Sequence, residues 1–246
     1  MINDKPTMEA FRINSLVLNT MIEARVYLPP HYSPLYTYPV LIALDGQDYF
    51  NLGRIAGLSE RLISERKMRH TVIVGLPYTD KMERWEKYHP EGRHHEAYIK
   101  FLIREFLPAL SKQYAIDELA GGRFLIGDSL AATFSLTCAL RYPHTFGNVI
   151  LQSPYVNDAI IENVRNFRLA PQLSIYHSIG VNETAVMTTR GTRADFLRPN
   201  RLLHETLVQK ELGFYKYVEN DGNHTWTFWQ DDLSDALCTM LAYEAL

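Results

Sequence analysis

Cysteine is nearly absent: the chain of 246 residues carries two, Cys138 and Cys238. Both stand in apolar, helix-like surroundings, which points to buried free thiols rather than a disulfide framework or a thiolate metal site. Basic runs interleaved with aromatics are missing, and the formal net charge is -3. That balance argues against a nucleic-acid partner or an anionic membrane surface. No apolar run is long enough to span a bilayer, and Met1-Ile2-Asn3-Asp4-Lys5-Pro6 lacks the basic and apolar segments of a secretory signal. A cytoplasmic protein is expected. Repeats, low-complexity tracts and linker-like stretches are also lacking, so a single domain over residues 1–246 without a large lid is expected. What remains, 46% hydrophobic and 22% charged, is the composition of a globular chain with one large core.

Along that chain, β-branched apolar runs alternate with segments of helical period. The runs at Val40 to Leu44, Thr71 to Leu76, Arg123 to Ile126, Asn148 to Leu151, Leu173 to Ile179 and Phe214 to Val218 read as strands. Helical periodicity falls between them at about Leu52 to Lys67, Glu96 to Tyr114, Leu130 to Arg141, Asn200 to Leu212 and Trp226 to Ala245. The alternation predicts an α/β fold, a mostly parallel sheet covered by helices on both faces. Phe11 to Leu18 and Glu23 to Leu28 predict an antiparallel pair at the sheet edge, ended by Pro29 and Pro30. Pro108 inside the helical pattern predicts a kink or two short helices.

The stretch Phe124-Leu125-Ile126-Gly127-Asp128-Ser129-Leu130-Ala131-Ala132 carries the strongest chemical signal. A strand turning sharply into a helix brings two backbones together and needs small residues two before and two after the exposed residue, here Gly127 and Ala131. Ser129 would then sit at a helix N-terminus, where backbone N–H groups favour the negative charge that develops in acyl transfer. Two other readings compete. The same letters spell G-D-S-L, and Asp221-Gly222-Asn223-His224 supplies an Asp-x-x-His, as in SGNH hydrolases, but those enzymes place the serine near the N-terminus and this chain has over a hundred residues ahead of it. A serine that merely caps a core helix is the plainer alternative.

A serine hydroxyl needs a base, and histidine is suited to that near neutral pH. His224 follows the last strand across a turn and precedes the last helix, at the same edge as Ser129, whereas His177 falls in a strand, His204 in a helix and His144 in a turn. The acid is expected in the loop after Leu173 to Ile179. Glu183, just past Gly180, is the first carboxylate there, with Asp195 the alternative, either as acid or as a cap of the following helix. For the oxyanion, Leu130 supplies one amide, and Gly46 in Leu44-Asp45-Gly46-Gln47-Asp48 would let the Gln47 amide approach as the second, unless this is an ordinary strand-to-helix turn. Arg84, Trp85, Tyr88 and His89 form a polar-aromatic cluster that either lines a cleft or packs on the surface. Tyr155 and Trp226, beside the elbow's neighbouring strand and the His loop, join Tyr88 and His89 as candidate substrate contacts. The His94-His95-Glu96 run is a solvated helix start, since adjacent helical residues diverge by about 100° and no third ligand follows at metal spacing. No metal is expected.

With these residues in hand, the chain resembles the "putative esterase" family of α/β hydrolases, the group around esterase D and enterochelin esterase. The likeness is carried by Leu44 to Phe50, the elbow, Ala139 to Gly147, Gln152-Ser153-Pro154, Gly180-Val181-Asn182-Glu183 and Gly222-Asn223-His224-Thr225-Trp226. These blocks span most of the chain in the family's order. Ala131 stands where the family usually has Gly, and Glu183 where many members have Asp. The resemblance implies an α/β-hydrolase fold and a Ser129-His224-Glu183 triad acting on a small-molecule ester without a cofactor. An acyltransferase with the same triad and a silent hydrolase fold kept for binding are the rival functions.

Overall fold

The computed structural model describes residues 4–188 and 191–243. Strands β1 (Thr7–Ser15) and β2 (Thr20–Leu28) form an antiparallel hairpin. The first strand therefore begins and ends earlier than the apolar pattern predicts, because Leu16 to Asn19 are consumed by the turn, with Asn19 at φ 50°. Along β2, Ile22, Ala24, Val26 and Leu28 face one core, and at the strand end Tyr27 is buried on the opposite face as well.

The next strand, β3 (Val40–Leu44), is buried on both faces and leads into α1 (Gly46–Asn51) and α2 (Ile55–Ser64). One helix was expected over Leu52 to Lys67; α2 lies inside those bounds, starting after the break at Gly53 and Arg54, the latter at φ 50°, and the unexpected α1 precedes it. Strand β4 (Val72–Leu76) is followed by α3 (Lys81–Tyr88), which the hydrophobic pattern does not reveal. Its signal is the cap: the Asp80 carboxylate accepts hydrogen bonds from the Met82 and Glu83 amides. Helix α4 (His95–Phe101) widens into a π-helical turn (Leu102–Phe106) before α5 (Leu107–Gln113). Pro108, at the start of α5, has no N–H to give the preceding turn; the expected kink or two short helices takes the form of short α4 and α5, joined by a wider turn that accommodates its ring.

Then come β5 (Arg123–Asp128), α6 (Ser129–Arg141), β6 (Asn148–Gln152), α7 (Asp158–Asn166) and β7 (Ser174–Gly180). A short hairpin, β8 (Val186–Met187) and β9 (Arg193–Ala194), precedes α8 (Leu197–Val208), β10 (Phe214–Asn220) and α9 (Trp226–Met240). The last helix, expected to run to Ala245, which lies outside the described residues, stops at Met240: Leu241 leaves helical geometry and Ala242 pairs with Met68. The main sheet runs β1-β2-β4-β3-β5-β6-β7-β10. All its pairs from β4 to β10 are parallel, and β2 joins them antiparallel. Alternate residues of β3 face opposite ways: Val40, Ile42 and Leu44 toward α4, α5 and α6, Leu41 and Ala43 toward α1, α2 and α9. This is an α/β-hydrolase fold. Cys138 is buried in α6, whereas Cys238 on α9 is only half-buried.

Candidate active site

Parallel strands deliver the loops after β3, β5, β7 and β10 to one end of the sheet, where open α/β folds bind ligands. Ser129 opens α6 directly after β5 and has φ 52°, the left-handed region. A serine is uncommon in that region, and the close packing of a strand-to-helix elbow enforces it here. The tightness is visible at Gly127, where an added Cβ would stand 2.4 Å from the Ala131 carbonyl carbon.

The Ser129 hydroxyl lies 3.0 Å from His224 Nε2, and His224 Nδ1 lies 2.6 Å from Glu183 Oε2. A carboxylate can only accept, so Nδ1 carries the proton and Nε2 presents its lone pair to the serine. The loops bearing the two partners are themselves tied together: the Val181 amide donates to the Asn220 carbonyl and the Asn182 amide to the Gly222 carbonyl. Glu183 is buried, and its second oxygen accepts from the Gly180 amide at 2.9 Å and the Ser153 hydroxyl at 2.6 Å. Ser153, at φ 48° beyond β6, in turn accepts from the Trp229 indole N–H at 2.9 Å. The imidazole packs between Phe196 and Trp229, with ring centroids 4.4 and 4.9 Å away.

Asp195 does something else. Its carboxylate accepts from the Arg198 amide at 3.1 Å, capping α8 from an exposed position. His177 is buried between β10 and α8, His204 stacks on Tyr217, and His144 is exposed. Burial lowers the pKa of His177 to about 4. His95, expected in solvent, is instead buried edge-on against Phe134, and Glu96 pairs with Arg141. Among the described residues no group of three side chains is arranged to hold a metal.

Ser129 and His224 open into a cavity of about 670 Å³ whose wall also includes Leu130, Trp85, His89, Tyr155 and Trp226. The β8–β9 hairpin contributes Val186, Met187 and Ala194 to the rim. Tyr88 is not part of that wall. It is fully buried behind it, packed on Tyr98 and Phe134, with its hydroxyl accepting from the Asp45 amide at 3.3 Å. The Gln47 side chain also points elsewhere: it donates to the Tyr78 carbonyl and accepts from the Tyr78 amide, both at 3.2 Å, and borders a separate surface depression with Gly75 and Pro77. Its neighbours Asp45 and Asp48 line the Ser129 cavity.

Beneath the elbow sits a group that spacing does not announce. The Arg84 guanidinium, from α3, lies between two carboxylates. Its Nε donates to Asp45 Oδ2 at 2.6 Å, and one Nη donates to the Asp128 carbonyl at 3.2 Å. Burial raises the pKa of both acids, and the Asp45 charge pushes Asp128 further up. Asp45 is the closer ion-pair partner of Arg84, at 2.6 Å against 3.6 Å for the Asp128 carboxylate.

Comparison with known proteins agrees with this architecture. The family model described as "Putative esterase" matches residues 15–240. The chain belongs to that family. It is 46% identical over 235 residues to the uncharacterized protein YjcH of Bacillus subtilis (strain 168), covering 96% of this chain and 98% of that one. Its fold superposes on a ferulic acid esterase with a TM-score of 0.80 at 17% identity, covering 97% of this chain and 98% of the other. The BES protein from Bacillus cereus superposes with a TM-score of 0.76 at 19% identity, covering 96% of each chain.

Proposed function

We propose that the protein is a serine carboxylic-ester hydrolase working through an acyl-enzyme. The observation that carries the reading is the continuous hydrogen-bonded series from Ser129 through His224 to the buried Glu183, opening on a cavity. Ser129 Oγ attacks the ester carbonyl, and His224 Nε2 takes its proton and returns it to the leaving alcohol. Glu183 keeps Nδ1 protonated and stabilises the imidazolium that forms. The Leu130 amide, at the start of α6, and the Gln47 amide, in the first turn of α1, hold the oxyanion. Water activated by the same histidine then releases the acid. The aromatic wall of Trp85, Tyr155 and Trp226 supports a small organic ester as the substrate.

The test is labelling with a fluorophosphonate probe, which reacts only with an activated serine, beside turnover of p-nitrophenyl esters of increasing acyl length. The native protein is expected to label and turn over. Ser129→Ala is expected to lose both, activity falling on the order of a thousandfold, because only binding and oxyanion stabilisation remain. Ser129→Ala with native turnover would overturn the reading. Product diverted from free acid to a new ester by added alcohol would make the enzyme an acyltransferase.

A further inference from the structure

Arg84 joins the two segments that carry the proposed oxyanion donors. Gln47 lies two residues past Asp45, and Leu130 lies two past Asp128. The guanidinium reaches both: Nε and one Nη contact Asp45 Oδ2 at 2.6 Å, and the same Nη donates to the Asp128 backbone carbonyl at 3.2 Å. It also lies 3.6 Å from Asp128 Oδ2. Both segments need holding. Asp45 has φ 56° and Ser129 has φ 52°, conformations that cost roughly 1–3 kcal/mol at a non-glycine residue and persist only when the surroundings enforce them.

Helix α3 supplies that enforcement twice. Arg84 and Tyr88 are four residues apart and share a helix face. Arg84 takes the Asp45 side chain, while the Tyr88 hydroxyl takes the Asp45 amide at 3.3 Å. The guanidinium itself is fixed between the Tyr78 and Tyr88 rings, 5.9 and 5.8 Å from their centroids, and is almost fully buried. A planar fork with several donors can bridge a carboxylate and a carbonyl at once, which an ammonium point charge cannot do as rigidly.

We infer that Arg84 is a positioning residue for the esterase reaction, fixing the separation of the Gln47 and Leu130 amides through Asp45 and Asp128. The inference rests on the esterase reading. Its signature is kinetic: oxyanion donors act on the transition state, so misplacing them lowers kcat and leaves KM in place. Losing one such donor lowers kcat by about 100- to 1000-fold, which sets the upper end for losing their spacing.

The experiment compares Arg84→Met, Arg84→Lys and the double variant Asp45→Asn/Arg84→Met, each checked for folding by circular dichroism. The double variant matters because Arg84→Met alone leaves Asp45 buried without its counter-charge, and it restores neutrality without restoring the bridge. Both Met variants are expected to lose more than tenfold in kcat at little-changed KM, and to react correspondingly slowly with the fluorophosphonate. Arg84→Lys is expected to recover part of the loss. Native kcat in the folded double variant would overturn the inference, reducing Arg84 to a neutralising charge; a rise in KM with native kcat would overturn it too. Failure of the esterase reading shows separately, as a wild-type protein that neither labels nor turns over.

Discussion

At the residue scale, the question is what each side chain of the hydrogen-bonded series is asked to do. Glu183 is held by three donors, the His224 Nδ1–H, the Gly180 amide and the Ser153 hydroxyl, so its orientation is fixed before substrate arrives. Glu183→Gln keeps the shape but offers an amide that no longer enforces the Nδ1–H tautomer. We expect kcat to fall on the order of a thousandfold with KM nearly constant, whereas Asp195→Asn, at an exposed helix cap, leaves kcat native. Steady-state kinetics on one p-nitrophenyl ester decides between them, and a kcat loss confined to Asp195→Asn would move the acid role there. Ser153 stands in one of the blocks that carry the family likeness, but motif reading assigns it no role. It lies beyond the strand next to the elbow's, and its tie to Glu183 exists only because β6 and β7 are neighbours in the sheet.

At the element scale, close contact between strands and turns sets the site. Gly46 begins α1, and a Cβ there would stand 2.3 Å from both the Cα and the carbonyl carbon of Gly75, backbone atoms that cannot swing away. Gly46→Ala is therefore expected to push the β3 turn off β4, costing about 2 kcal/mol in stability and lowering kcat without raising KM. Urea unfolding and steady-state kinetics on the same preparation check both halves. Native stability and kcat together would mean that the turn has slack. The central strands and the elbow were legible in the sequence because they depend on local pattern: apolar runs between turn signals, and small residues flanking Ser129. Helices α3 and α7 were not, because both are short and the buried face of α3 is mainly charged, Arg84, Glu86 and Lys87 beside Tyr88, although the Asp80 and Asn157 caps were present. The place of Glu183 beside His224 was legible from its distance past a strand end, but Tyr88 was misplaced, because no spacing tells whether an aromatic on a short helix faces a cavity or the core behind it.

At the scale of the whole molecule, β10 is an edge strand with β7 as its neighbour in the sheet, yet it carries the loop that presents His224. Its attachment runs through a buried histidine. His177 on β7 lies 2.7 Å from the Asn200 Oδ1 of α8 and 3.2 Å from the Tyr215 hydroxyl of β10. Asn200 spends its own N–H groups on the Pro154 and Phe196 carbonyls, so its oxygen accepts, His177 Nε2 carries the proton, and Nδ1 accepts from Tyr215. With its pKa lowered by burial to about 4, against about 6.5 in the unfolded chain, His177 stays neutral in the native protein while the unfolded chain takes up a proton. Stability is thus intact above about pH 6.5 and declines as the pH falls toward 4, by about 3 kcal/mol in all. Glu219, lowered to about 2 chiefly by its hydrogen bonds with Arg201, loses its contribution in a lower window, between about 4.5 and 2. The buried Asp45 and Asp128, whose pKa values are raised, tilt the curve the opposite way, so the difference between wild type and His177→Gln isolates the histidine. Gln can still donate to Asn200 and accept from Tyr215 but cannot titrate. Urea unfolding between pH 7 and 4 is expected to give a flatter curve for His177→Gln, while kcat/KM at pH 7 stays native. Parallel stability curves for the two proteins would show that His177 does not carry the acid sensitivity, and a loss of kcat/KM at pH 7 with native stability would tie it to the chemistry instead of to the docking of the edge strand.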